Sequence, residues 1–467
     1  MSHATSSSSS SGPLGRRSVR RGRRGPDATI VLALVLPVVT VAAALLVHPD
    51  LPTTPDRPPP AETVLTSTSV ICPSGEPRAF VATTGDASGE VPVRFGGAER
   101  TADVEPGRVV QVRANGAPAV VEAEGALAPG LVVGRFESPL AAAECREPVP
   151  DQWFTGVGAG ARHRSVLELV NPDAGPAVVD VAIYGRSGLV EAPGVRGVAV
   201  PAGGVVRIDL AETVPRRDEL SLRLTTSRGR VHASIRDRFD NLGPGRPSSD
   251  WLPAQAEPVT SNLMLGIERG PGQRTLVLAN AGEDQTRASI KIVTGDSVFA
   301  PRGVDEVTVP PRSVARVTLS EVLSGEAAEG AVGLLVESRA PLTAGLRSIT
   351  GGDLSHAVAS TPITSATAVI VPRGRKQVQL AGAAVAGSVL VTARDTEGEV
   401  VGERTVEVVP GRGYSVQVPR QAVLVEVTPT GTEILASVLV SGSGTTVVRL
   451  RDLRRTSLVG DVRPALP

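Results

Sequence analysis

The stretch 198–212 reads VAVPAGGVVRIDLAE, and 307–321 reads VTVPPRSVARVTLSE, 109 residues later and without a gap. Each copy alternates apolar and polar residues into a proline, passes a short turn, alternates again and closes on Leu-x-Glu. Period-two alternation puts one set of side chains on a buried face, so each copy reads as strand, turn, strand. Proline suits the turn because it lacks the ladder N–H and fixes φ. Fainter copies are VEPGRVVQV (104–112) and VVPGRGYSV (408–416). Pro106, Pro201, Pro310 and Pro410 lie 95, 109 and 100 residues apart. A period of about one small domain predicts repeated whole domains; propeller blades repeat at about 40–50 residues.

The repeats agree elsewhere. SVLELVN (165–171) matches RTLVLAN (274–280) at the same offset, each an alternating strand ending in Asn, a residue that bonds its own turn backbone. Residues 220–236 match 331–347, with Ser227-Arg228 and Ser338-Arg339 expected at the turn between two strands. Asp209-Leu-Ala-Glu212 and Thr318-Leu-Ser-Glu321 fit a capping box, which predicts a short helical turn after each repeat.

Composition supports strands. Valine is abundant, aromatics are only 2 %, and long helix-period stretches are lacking. Valine's branched side chain packs well on a pleated surface. Formal net charge is zero, and nothing in the sequence forms a basic footprint with stacking aromatics, so nucleic acid is not an expected partner.

Residues 1–27 form a Ser-rich, basic segment with Arg16, Arg17, Arg20, Arg21, Arg23 and Arg24, read as a cytoplasmic tail. Residues 28–47 carry no charge. At 1.5 Å per residue such a helix reaches about 30 Å, a bilayer's hydrocarbon thickness. A single transmembrane anchor is therefore expected over 28–48, with the N-terminus cytoplasmic and the rest extracytoplasmic by the positive-inside rule. The alternative is secretion after cleavage of a signal peptide at the small-residue run 42–44. Residues 49–66 read as a Pro-rich linker. Four β-domains are expected at 67–148, 152–253, 254–362 and 366–455, followed by a tail at 456–467.

Cys72 and Cys145 are the only cysteines, and they bracket the first domain. Outside the membrane they are expected to form a disulfide. Trp153 and Trp251, the only tryptophans, stand near domain starts and are expected to seal junctions rather than form an exposed ligand platform. Residues 240–250 read as a long polar surface loop. His163, His232 and His356 fall at unrelated repeat positions without metal spacing, so no catalytic, cofactor or metal residues are expected. Nucleophile-elbow, zincin, P-loop and EF-hand motifs are absent. Paired Asp or Glu residues leave a carbohydrate-active enzyme open as the alternative.

The layout resembles an uncharacterised actinobacterial family of membrane-anchored, exported β-rich proteins, a domain of unknown function. The resemblance rests on Cys72-Pro73 and on the strand-Asn-Pro turn at Asn171-Pro172. The third repeat departs from that turn at Asn280-Ala281. The resemblance implies a role in the cell envelope beside a membrane glycosyltransferase, and it brings no catalytic residues. The expected protein is all-β: tandem immunoglobulin-like sandwiches after one N-terminal transmembrane helix. Its expected role is that of a non-catalytic scaffold or accessory partner of a membrane enzyme or a wall polymer.

Overall fold

The computed structural model describes residues 28–46, 61–113, 115–242, 246–268 and 270–459. The basic tail, most of the Pro-rich linker and residues 460–467 lie outside them. Strands take 57 % of residues and helices 7 %, so the protein is all-β.

The expected span is helical over Ala28–Leu46, with Pro37 inside. Among the described residues no helix is long and apolar enough to cross a membrane.

Residues 62–458 form a second compact unit built from four modules of eight strand positions each. In module 1 these are Ser67–Cys72, Arg78–Thr83, Gly89–Phe95, Ala98–Val104, Val110–Arg113, Ala119–Glu124, Leu131–Glu137 and Ala141–Ala143. One sheet runs first–sixth–third–fourth and the other fifth–second–seventh–eighth, with antiparallel pairing throughout. Module 4, with strands over 367–449, repeats the same order. Modules 2 and 3, over 151–252 and 259–358, repeat it with the fourth position split into two short strands that both pair with the third, and in module 3 the sixth and seventh positions lie on one long strand. The divergent first module thus shares the fold of the other three. Two packed antiparallel sheets were expected. The strand order differs from the ABED/CFG order of immunoglobulin domains, because the first strand pairs with the sixth and the second with the fifth and seventh.

Alternation does the packing. In Ala177–Gly185, Val179, Val181 and Ile183 enter the core of module 2 while Asp180 faces solvent. Each such aliphatic side chain contributes about 1.5–3 kcal/mol when fully buried.

The repeated Asn-and-proline signature has one structural cause. Asn171 Nδ2 donates to Gly175 O (2.8 Å), Val200 O (3.2 Å) and Pro201 O (3.0 Å). Asn280 Nδ2 donates to Asp284 O (2.8 Å), Val309 O (3.3 Å) and Pro310 O (3.1 Å). The amide thus ties the end of the second strand to the proline turn, satisfying carbonyls that the turn takes out of the ladder. In module 1 Thr83 stands at the same place, and its Oγ1 accepts from Gly85 N at 3.1 Å.

Four local expectations change. Asp209 does cap a short helix, Leu210–Thr213, by accepting from Ala211 N. In module 3 the helix Ser320–Ser324 has Leu319 at its cap and no side-chain cap. Ser338-Arg339 is not a turn: one strand, Gly333–Thr350, runs from the first sheet into the second. Module 2 turns at Gly229 (φ 74°), whereas module 3 has Ala340 before Pro341, a position biased to extended backbone. Within the expected loop 240–250, Gly243–Gly245 lies outside the described residues, and Ser248–Leu252 forms the eighth strand of module 2. Thr456–Val459, in the expected tail, is also a strand.

The four modules close on one another rather than forming an open row. Ala141 and Ala143 of module 1 pack on Trp251 of module 2. Trp153 and Tyr184 of module 2 meet Val277, Ala279 and Val314 of module 3. Leu263 and Leu265 of module 3 meet Ala381 and Leu435 of module 4. Ile370 and Leu424 of module 4 return to Ala82 and Val132 of module 1. Both tryptophans are therefore buried junction residues, at 2 % and 6 % exposure, and neither offers a platform for a ligand. Gly345 permits one such approach, since a Cβ there would overlap Thr155 O of module 2.

The Asn tie yields the first prediction. Asn280→Ala should lower unfolding free energy by about 1–3 kcal/mol, because it strands buried carbonyls of the proline turn. Urea denaturation checks this, and an unchanged midpoint would show that the turn holds without the amide.

Candidate functional site

The four eighth strands, Ala141–Ala143, Ser248–Leu252, Asp353–Val358 and Thr445–Arg449, neighbour one another in a cycle at the centre of the unit. Their polar residues meet there. Arg449, on the last of them, is almost fully buried, yet each guanidinium nitrogen finds a partner. Nη2 and Nε donate to Glu144 Oε1 at 2.5 and 2.8 Å, Nη1 to Ala359 O at 2.8 Å and Nη2 to Ala254 O at 2.6 Å. Those acceptors follow the eighth strands of modules 1, 2 and 3, so one guanidinium ties all four modules.

Glu144 is positioned by the disulfide. Cys72 and Cys145 are joined, with Cα atoms 4.2 Å apart. The next residue, Arg146, exchanges backbone hydrogen bonds with Ile71 at 2.9 and 3.0 Å. Closing a 73-residue loop contributes about 4 kcal/mol in the chain-entropy account. It also holds Glu144 and Arg146 against the first strand of module 1. Burial would raise the Glu144 carboxyl, but Arg449, Arg451 and Arg146 hold it down to about 2. Burial and the neighbouring Arg451 push Arg146 down to about 9.

Nearby, Asp250 accepts from Trp251 N at 2.8 Å and lies 3.2 Å from Thr446 Oγ1. Burial pushes its carboxyl well above the usual range and Asp353 adds to this, while the Trp251 amide, Arg236 and Thr446 oppose. Asp353 in turn accepts from Ser248 Oγ (2.8 Å) and Thr445 N (2.6 Å), linking modules 2, 3 and 4.

A second buried cluster lies between modules 2 and 3. His163 Nε2 meets both oxygens of Asp237 at 2.9 and 2.8 Å, and its Nδ1 faces Asp218 O at 3.0 Å. Ser165 Oγ donates to Asp237 Oδ1 at 2.5 Å. His356 Nε2, from module 3, lies 3.1 Å from Asp237 Oδ2 without hydrogen-bond alignment. Arg347 Nη2 reaches Glu219 Oε1 at 3.2 Å. Burial would raise the Asp237 carboxyl; His163 and His356 outweigh it and hold it far below the carboxylate range. Serine, histidine and aspartate are thus together, but Ser165 bonds the carboxylate rather than a base, and all are buried. A nucleophile needs its hydroxyl on the base and open to substrate, so this cluster serves as a junction.

The sequence reading missed these convergences. His163 and His356 are 193 residues apart and meet only because modules 2 and 3 dock. His232, at the start of His232–Phe239, is buried with both ring nitrogens unpartnered among the described residues. In the sequence, the two cysteines and the junction expected at Trp251 point to this region.

A model for a family of unknown function (DUF5719) matches residues 109–419. The chain belongs to this family. In this DUF5719 member the match takes in modules 2 and 3 whole, starts before the fifth strand of module 1 and ends after the fifth strand of module 4, Gly413–Val418. Comparison with curated proteins finds no match.

Two predictions follow from the buried charges. Arg449→Ala should cost about 3–5 kcal/mol, since it leaves Glu144 buried without its main partner; chemical denaturation reads it, and a loss below about 1 kcal/mol would remove Arg449 as the central tie. The second concerns pH. His232 is pushed well below its ordinary value by burial, then by Arg146 and Arg451, with Glu144 opposing. A depressed folded pKa contributes stability above the unfolded value of about 6.5, and that contribution is lost as pH falls below it. Asp250, raised by burial, runs the opposite way: its contribution is present below about pH 3.9 and is lost as pH rises toward its folded value. Melting temperature should therefore fall less on acidification in His232→Phe than in wild type, and fall less on alkalinisation in Asp250→Asn. Parallel pH profiles for variants and wild type would contradict both assignments.

Proposed function

We propose that the chain is a non-catalytic extracytoplasmic protein of the cell envelope, anchored by its N-terminal apolar segment. It presents a rigid four-module body to a membrane enzyme, such as a glycosyltransferase, or to a wall polymer. The carrying observation is where the charged groups go. Glu144 with Arg449, and Asp237 with His163 and His356, draw partners from different modules and are buried between them. Groups so committed hold modules in fixed relation, which suits a scaffold. The immunoglobulin-like comparison belongs to this proposal at the level of paired antiparallel sheets that display their outer faces. The charge-free run 28–47 after six arginines supports the anchor and the exported topology, and the disulfide fits an oxidising compartment.

One observation favours the second reading, an extracytoplasmic carbohydrate-active enzyme. Glu268 lines a groove between modules 3 and 4, together with Gln377, Gln417 and Ser415. It shares Thr445 with Asp353: Thr445 Oγ1 donates to Glu268 at 2.8 Å and Thr445 N to Asp353 at 2.6 Å.

The test is crosslinking and pulldown of the full-length protein from its native membrane, beside a version lacking residues 1–48. A membrane enzyme recovered only with the full-length form is the expected result. Glycan hydrolysis or transfer by the purified protein, abolished by Glu268→Gln, would replace the scaffold reading with the enzymatic one.

A further inference from the structure

A cleft of about 210 Å³ opens between modules 1 and 4, and Glu144, Arg146, Arg449 and Arg451 line it. Three guanidiniums thus face one carboxylate. The other charges of the cleft are already engaged. Glu147 accepts from Thr68 Oγ1 at 2.7 Å and pairs with Arg454 at 3.2 Å. Asp452 accepts from Thr364 N and Ser365 N at 3.0–3.2 Å.

The guanidiniums differ in what they have left to give. All three nitrogens of Arg449 already donate, to Glu144 and two carbonyls. Arg451 approaches Glu144 only at 3.9 Å and keeps a third of its side chain exposed. Arg146 donates to Gln152 Oε1 and keeps part of its surface open while protein surrounds it on most sides. Both therefore have spare donors: Arg146 where protein surrounds it and an unpaired charge is expensive, Arg451 at the open side of the cleft. His232, outside the cleft's lining, is buried with both ring nitrogens unpartnered among the described residues. The remaining walls are apolar, including Val133, Ile370 and Leu453.

We propose that this cleft binds an oxyanion: Arg146 and Arg451 take a phosphate or carboxylate head group, and the apolar walls take the chain that carries it. Guanidinium forks match the planar or tetrahedral oxygens of such groups, and their charge-assisted bonds are strongest where water is scarce. The head group supplies the acceptors that the site lacks. Arg449 is not needed for this, since it already ties the modules. The site stands whether or not the protein is a scaffold.

The experiment is isothermal titration of the full-length protein with inorganic phosphate and with hexyl phosphate, using hexyl glucoside as the uncharged control. Arg451→Gln is the test variant. Arg196→Gln, which removes an exposed ion pair with Glu191 outside the cleft's lining, controls for general loss of charge. Hexyl phosphate should bind saturably, and Arg451→Gln should weaken it about tenfold or more, the loss of one charged hydrogen bond, without changing the melting profile. Tighter binding of hexyl phosphate than of inorganic phosphate assigns an amphiphile such as a lipid head group. Equal binding, lost equally in the variant, assigns a soluble oxyanion to the same arginines. Absence of saturable binding by either phosphate, or binding that Arg451→Gln leaves intact, overturns the site.

Discussion

The fold depends on keeping one buried guanidinium satisfied. Arg449 carries a positive charge where four strands from four modules converge, and water cannot solvate it there. It is tolerated because Glu144 and two backbone carbonyls, each from a different part of the chain, converge on its donors. Such a site is not a source of large net stability, because desolvation offsets much of the attraction. Its value is geometric. A mispositioned module would leave the charge without a partner, so the network selects one arrangement among the many that apolar faces alone would permit.

The rest of the assembly follows the same division between apolar faces and polar ties. Small clusters such as Trp153 with Val277, or Ile370 with Ala82, supply contact area at each junction. The polar groups set register: Asp237 collects His163 from its own module and His356 from the next, and Asp353 collects Ser248 and Thr445. Glycine at positions such as Gly345 removes the side chain that would hold the modules apart. The disulfide contributes at both levels, constraining the unfolded chain and fixing the segment after Ala141–Ala143 that carries Glu144 and Arg146.

Much of each module is legible in local sequence. The alternation of Val179, Val181 and Ile183, the recurring Pro201 and Pro310, and the paired Asn171 and Asn280 depend on contacts within one module, so they repeat with it. Legibility fails where modules touch. Ser338-Arg339 looks like its counterpart at a turn, yet the chain runs on extended because an alanine and a proline replace the glycine. His163, Asp237 and His356 look unrelated because docking, not spacing, unites them. The same holds for the spare donors of Arg146 and Arg451, which matter only once module 4 closes against module 1.

The sequence by itself determined that the protein is all-β, that its sandwich-sized units recur, and that Cys72 and Cys145 bracket the first of them. These are consequences of period-two patterning and local turn chemistry, which act over a few residues. Only the tertiary structure decided the strand order within each sandwich, the closure of module 4 on module 1, and the gathering of charged residues at the centre. Strand alternation says which face is buried but not against what. Partner choice between faces is set by long-range docking, in which a few buried polar groups must all find acceptors at once.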